Sequence, residues 1–174
     1  KRLHQALNQE QITYELIFID DNSTDRTIAS LSILKDQYPI SIHTKEGQKG
    51  KAQSLLEGFN KAKYDQIAMI DADLQYPPEA IPEMMRKLAI ADIVVAQRKA
   101  FHAGLLRQVI SRAFLFIFGK TMHNLDVDVQ SGLKVFKKDI LKHISLFPTP
   151  WTFDIDFLVK ARLAGYSLTS VPIS

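Results

Sequence analysis

The chain has 174 residues, of which 46% are hydrophobic and 24% charged, a globular composition at the length of one domain that excludes disordered and low-complexity classes. Its 22 Lys and Arg against 19 Asp and Glu leave a formal charge of +3, well short of a dedicated nucleic-acid binder, so no nucleic-acid partner is expected. Cysteine is absent, which excludes a disulfide framework, a thiolate metal site and a cysteine nucleophile.

No apolar run reaches the ~20 residues of a membrane-spanning helix, and the start Lys1-Arg2-Leu3-His4-Gln5 lacks a signal-peptide core. Apolar residues at helical spacing over 2–9 precede the strand-like run Tyr14-Glu15-Leu16-Ile17-Phe18-Ile19, which ends in Asp20-Asp21. After the turn Asn22-Ser23-Thr24-Asp25, a helical pattern carries Ile28, Leu31, Ile33 and Leu34, and Ile40-Ser41-Ile42-His43 reads as a strand. Residues 51–62 read as a helix, 66–70 as a strand, 78–88 as a helix opened by prolines and 92–96 as a strand. Residues 104–118 are helical in pattern, with Arg107, Gln108, Ser111 and Arg112 on one arc and an apolar second half. Such a helix is either buried or lies on a membrane surface. A polar stretch from Asp126 to Gly132, a strand over 133–136, a helix through 157–162 and a strand over 167–171 complete the order.

Strands without polar alternation, separated by helical stretches, predict a single α/β domain over 1–174 with a mainly parallel sheet covered by helices on both faces. Ligands of such open sheets sit outside the carboxyl ends of the strands, where this sequence carries Asp20-Asp21 and Asp71-Ala72-Asp73. Two carboxylates two positions apart suit a hard divalent cation, Mg²⁺ or Mn²⁺, that keeps positions open for phosphates. The bland alternative is an acidic turn or helix cap. Lys45-Glu46-Gly47-Gln48-Lys49-Gly50-Lys51 places two glycines and three lysines before a helix, a candidate anion cradle that includes Lys49. It is not the phosphate loop of NTPases, and no Gly-x-Gly-x-x-Gly occurs. The five histidines are scattered without metal-ligand spacing and read as structural or surface residues.

The segments Ile19-Asp20-Asp21-Asn22-Ser23-Thr24-Asp25-Arg26-Thr27, Lys49-Gly50-Lys51-Ala52, Asp71-Ala72-Asp73-Leu74-Gln75-Tyr76-Pro77-Pro78-Glu79, the stretch from Asp92 to Arg98 and Ser131-Gly132-Leu133-Lys134-Val135-Phe136 resemble, in order and spacing, glycosyltransferase family 2. Within it, Asp71 to Glu79 and the Arg-x-x-Ile-Ser-Arg pattern from Arg107 to Arg112 look most like the dolichol-phosphate mannose synthase and bacterial polyprenyl-phosphate glycosyltransferase group. The resemblance implies a GT-A fold, a UDP- or GDP-linked sugar donor and inversion at the anomeric carbon. It implies that Asp20 and Asp21 contact base and ribose, and that Asp71, Asp73 and Gln75 hold the divalent metal on the diphosphate. Arg98 and Arg107 would face the diphosphate or an acceptor phosphate, and Ser131 and Lys134 stand where the family has Ser-Gly-Phe-Arg. Two departures are Ala96-Gln97 for a Gly-Ser pair and Lys134 for Arg, which keeps charge and loses bidentate geometry. The family's first strand, with its Pro-x-x-Asn-Glu-type signature, has no counterpart, so the chain reads as a fragment. The resemblance also implies work at the cytoplasmic face of a membrane in the full-length protein.

Two acceptors remain open. A polyprenyl phosphate is already ionised near neutral pH and needs no general base. A saccharide hydroxyl needs a carboxylate to take its proton, and Asp154 or Asp156 of Phe153-Asp154-Ile155-Asp156 is the candidate. A third reading is an inactive nucleotide-binding domain.

Overall fold

Apolar runs become strands, and the periodic stretches between them become helices. The computed structural model describes residues 1–73, 75–98, 125–149 and 152–173; Leu74, Trp151 and the expected helix over 104–118, with Arg107 and Arg112, lie outside them. Helix α1 (Arg2–Gln9) precedes β1 (Leu16–Asp20), α2 (Thr27–Leu34) and β2 (Ile40–Thr44). Strands β1 and β2 pair in parallel, with Leu16 opposite Ile40 and Asp20 opposite Thr44, so α2 is the crossover of a βαβ unit. Next come α3 (Lys51–Lys61), β3 (Gln66–Ile70), a single 3₁₀ turn (Pro78–Ala80), α4 (Ile81–Lys87) and β4 (Ile93–Arg98). The chain closes with β5 (Leu133–Lys137), the short α5 (Ile140–His143), α6 (Phe153–Leu163) and β6 (Leu168–Ile173).

The larger sheet has the order β3-β5-β4-β6, and β1-β2 form a separate two-stranded sheet. Pairing is parallel between β4 and β6 but antiparallel on both sides of β5. The α/β architecture is therefore the expected one, with β5 as the strand that departs from parallel pairing. A strand buried on both faces reads alike in either direction, so its sequence does not disclose which way it runs.

Both faces of this sheet are covered. Along β4, Ile93 and Val95 enter one apolar cluster and Val94 and Ala96 another, all four fully buried. The first cluster adds Phe59 of α3 and Phe153, Phe157 and Leu158 of α6, and the second adds Leu7 of α1 with Ile81 and Met84 near the start of α4. Alternate side chains along a strand point to opposite faces, so double coverage explains the missing polar alternation. The stretch over 126–132, polar in sequence, also contributes: Leu125, Val127 and Val129 alternate into the first cluster. In contrast, α2 has no buried residue, and Ile33 is 68% exposed. Among the described residues, no helix is long and apolar enough to cross a membrane.

Asp92 ties three strands together just before β4. Its carboxylate accepts from Lys137 Nζ (2.8 Å) at the end of β5 and from the Ser167 backbone N–H (2.9 Å) and Oγ (2.7 Å) before β6. The Lys137 ammonium, with the Ser167 donors, holds the Asp92 carboxyl at about 2. A depressed folded-state value stabilises the fold above the unfolded value near ~3.9, and that contribution is lost as pH falls toward ~2. Asp92→Asn is therefore expected to cost roughly 2 kcal/mol at neutral pH in urea unfolding. The gap from the unchanged protein should close as the pH approaches the depressed value.

Candidate active site

Because β3 and β4 both run antiparallel to β5, they point the same way, and their carboxyl ends share an edge with the start of β5. Asp71 follows β3, Arg98 ends β4 and Ser131-Gly132 precede β5. The Asp71 backbone N–H donates to the Gly132 carbonyl (3.2 Å), one step beyond the Ile70–Leu133 pair. A Cβ on Gly132 would stand 2.1 Å from Asp71 Oδ2 and 2.8 Å from the Tyr76 ring. Only glycine allows this approach. Tyr76 is buried, and the Arg98 guanidinium lies 4.9 Å from its ring centroid, within cation–π range.

The head of α3 joins the two acidic clusters. Gly50, at φ 126°, has a backbone that side chains rarely adopt, and its N–H donates to Asp21 Oδ2 (3.0 Å). The next residue, Lys51, sets its ammonium 2.6 Å from Asp71 Oδ1. Burial works against the Lys51 charge, but the hydrogen bond to Asp71 and the fields of Asp154 and Asp71 prevail and raise its pKa. Asp21 also pairs with the buried Lys45 ammonium, which donates to the Gly50 carbonyl (3.2 Å). Lys45 and the Gly50 N–H hold the Asp21 carboxyl below the usual range. Asp20 turns back onto the Ser23 N–H (3.0 Å).

The loop over 45–51 does not have the form of an open anion cradle. Its N–H groups at Glu46 and Gly47 donate to Glu57 (3.2 and 3.0 Å), and that at Gly50 donates to Asp21. Lys49 is exposed and contributes its field to Asp21. Lys51, quoted within the motif but given no role from sequence, is the lysine that reaches the Asp71 carboxylate.

On the other side of Asp71, Lys134 is fully buried and pairs with Asp154 Oδ1 (2.6 Å) in the first turn of α6. Its ammonium also donates to the Ser131 carbonyl. Burial lowers the Lys134 pKa, opposed by the Asp154 carboxylate and by the field of Asp128. Asp154 therefore joins the cluster, while Asp156 points elsewhere and pairs with Lys160 (2.7 Å). Residues two apart on a helix lie on nearly opposite faces, which separates the two acids. Asp73 is exposed and accepts from the Gln75 backbone N–H (3.1 Å), an Asx turn that leaves Gln75 exposed beside it. Asp128 and Tyr76, neither assigned a role from sequence, also stand near this edge. The signal for Asp128 was the alternation of 125–129, which turns apolar residues inward and aspartates outward.

Residues 1–145 match the model of glycosyl transferase family 2. The chain belongs to this family. A dolichol-phosphate mannosyltransferase of Pyrococcus furiosus is 27% identical over 169 residues, covering 92% of this chain and 47% of that protein. The Saccharomyces cerevisiae dolichol-phosphate mannosyltransferase is 39% identical over 75 residues, covering 42% of this chain and 28% of that one. The chain thus spans about half the length of the first relative or less. Among solved structures, glucosyl-3-phosphoglycerate synthase from Mycobacterium tuberculosis with Mn²⁺, UDP and phosphoglyceric acid superposes with TM-score 0.76. That superposition covers 98% of this chain and 62% of the other at 17% identity. The fold of this family 2 chain is accordingly GT-A.

Two substitutions test the packing of this edge. Gly132→Ala is expected to push Asp71 and Tyr76 apart and to cost about 1–3 kcal/mol in urea unfolding. Lys134→Ala, which strands Asp154 against the Ser131 carbonyl, should cost about 3 kcal/mol. The double change Lys134→Met with Asp154→Leu should recover most of that loss, since an apolar pair leaves no unpaired charge.

Proposed function

We propose that the protein is a metal-dependent, inverting glycosyltransferase that moves a sugar from a nucleotide-diphosphate sugar to a polyprenyl phosphate. The observation that carries this reading is the meeting of Asp71, Lys51, Arg98, Lys134 and Asp154 at one sheet edge of a family 2 chain. The Pyrococcus furiosus and Saccharomyces cerevisiae relatives described above are both dolichol-phosphate mannosyltransferases, which supports the lipid phosphate as acceptor.

The donor set suits the ion. Asp71 is partly exposed and Asp73 exposed, both within reach of solvent. Among the described residues, no group of three or more His, Cys, Asp or Glu is placed to hold a metal. Two carboxylates, with the remaining positions left to phosphate oxygens and water, match the usual habit of Mg²⁺ and Mn²⁺. Asp71 and Asp73 would hold the ion, with Gln75 adjoining, and it would supply Lewis-acid stabilisation of the departing diphosphate. The mycobacterial synthase named above, solved with Mn²⁺ and UDP, supports a divalent ion and a nucleotide donor in general.

The chain's own groups have separate tasks. Asp20 and Asp21 stand at the carboxyl end of β1 for base and ribose. Arg98, steadied on Tyr76, and Lys51 present positive charge to phosphate oxygens along the edge. As the acceptor oxygen bonds to the anomeric carbon, the sugar's bond to the diphosphate breaks and the nucleoside diphosphate leaves with the electron pair. Preorganised cations at this edge stabilise the charge that develops on it.

The two carboxylates considered as bases both carry ammonium partners, Lys134 on Asp154 and Lys160 on Asp156. A general base works best with a free carboxylate whose pKa is near the working pH. A phosphate acceptor needs no such base, so these pairings favour polyprenyl phosphate over a saccharide hydroxyl. Membrane contact would follow from a lipid acceptor.

The test is incubation of the protein with UDP- and GDP-linked sugars, Mn²⁺, and either polyprenyl phosphate or an oligosaccharide. Sugar is expected on the lipid phosphate only. Product on the oligosaccharide alone would remove this acceptor, and nucleotide binding without turnover would favour a binding domain. Asp71→Asn and Asp73→Asn should each lower the rate a hundredfold or more, about 3 kcal/mol of transition-state stabilisation.

A further inference from the structure

The two oxygens of the Asp71 carboxylate differ in their neighbours. Oδ2 lies beside Gly132, in space that a side chain there would take. Oδ1 holds the Lys51 ammonium at 2.6 Å. A divalent cation that takes Oδ1 as a ligand must share it with that ammonium. Two positive centres within contact distance of one oxygen repel strongly, so one must move.

Lys51 has somewhere to go. Its side chain is 49% exposed at the head of α3, so it can swing without opening a cavity. A second carboxylate, Asp154, already acts on it through its field.

We infer that Lys51 is a built-in stand-in for the divalent cation, whose ammonium occupies Asp71 Oδ1 until the ion displaces it. This rests on the metal reading above and adds an exchange to it. With the ion absent, Lys51 keeps a partly buried carboxylate from standing unpaired beside the Gly132 backbone. With the ion bound, the released ammonium stays at the same edge, close to where the diphosphate would enter. Loading the site is then a swap of cations on one oxygen, and intrinsic affinity for free metal is held down by the lysine.

The test is titration of the protein with Mn²⁺ alone, followed by electron paramagnetic resonance of the free ion, for the unchanged chain, Lys51→Met, Lys51→Gln and Lys51→Arg. Removing the ammonium should tighten Mn²⁺ binding about fivefold to tenfold in the Met and Gln variants. Lys51→Arg, which keeps the charge, should stay near the unchanged protein. The gain should vanish when Asp71→Asn is added, which places it at that carboxylate. Mn²⁺ binding that is equal or weaker in both Lys51→Met and Lys51→Gln overturns the exchange while leaving the metal site standing. No Mn²⁺ bound by any of these proteins, with or without UDP and GDP, overturns the exchange and the metal reading together.

Discussion

The bond from the Asp71 N–H to the Gly132 carbonyl is the constraint on which the rest of the edge depends. It extends the antiparallel β3–β5 ladder by one pair and fixes where β3 stops being a strand. From that point Asp71 leaves the sheet with its carboxylate pressed against a residue that has no side chain. Had β5 run parallel, Ser131-Gly132 would lie at the opposite end of the sheet, and Asp71 would face a different wall. The direction of one buried strand thus decides which residues surround the carboxylate.

Around that bond the charges alternate in sign. Lys51 meets Asp71, and Lys134 meets Asp154, with the field of Asp154 reaching back to Lys51. Alternation lets ionised groups of both signs crowd together where two bare carboxylates would repel. The helix ends make the pattern sharper. Asp154 in the first turn of α6 agrees with the helix dipole, but Lys51 at the first position of α3 opposes it. A lysine set against its own helix is a local rule broken, and such breaks gather at functional sites. Here the carboxylate of a neighbouring strand offsets it.

Much of this was legible in the sequence. The strands, the crossover helices and the acidic residues at the ends of β1 and β3 follow from apolar runs and their punctuation, and the family motifs name the edge. What failed to show was geometry that composition does not encode. Lys45, Lys49 and Lys51 look interchangeable in the loop, yet one is buried on Asp21, one is exposed and one reaches Asp71. The same loop reads as an anion cradle until Glu57 and Asp21 are seen to take its N–H groups. Asp154 and Asp156 separate only once the segment is a helix and its phase is known. The apolar pattern of α2 correctly predicts a helix but not its exposure, because burial depends on what lies opposite.

The charge balance of the edge bears on what it can accept. Lys45 is matched by Asp21, Lys51 by Asp71 and Lys134 by Asp154, so three of its ammonium groups are already spoken for. Arg98 and the exposed Asp73 have no such tie to each other, yet they are opposite in sign. Among the described residues these pairings hold most of the ammonium charge at the edge until a ligand breaks them, and a diphosphate brings at least two negative charges. If the diphosphate arrives with a divalent ion, the balance survives, and the ion finds oxygen ligands in Asp71 and Asp73. A divalent ion that accompanies the diphosphate offsets its charge where the lysines are already paired, since burying uncompensated charge is costly. On that account the paired lysines restrain the site as much as they attract its ligand.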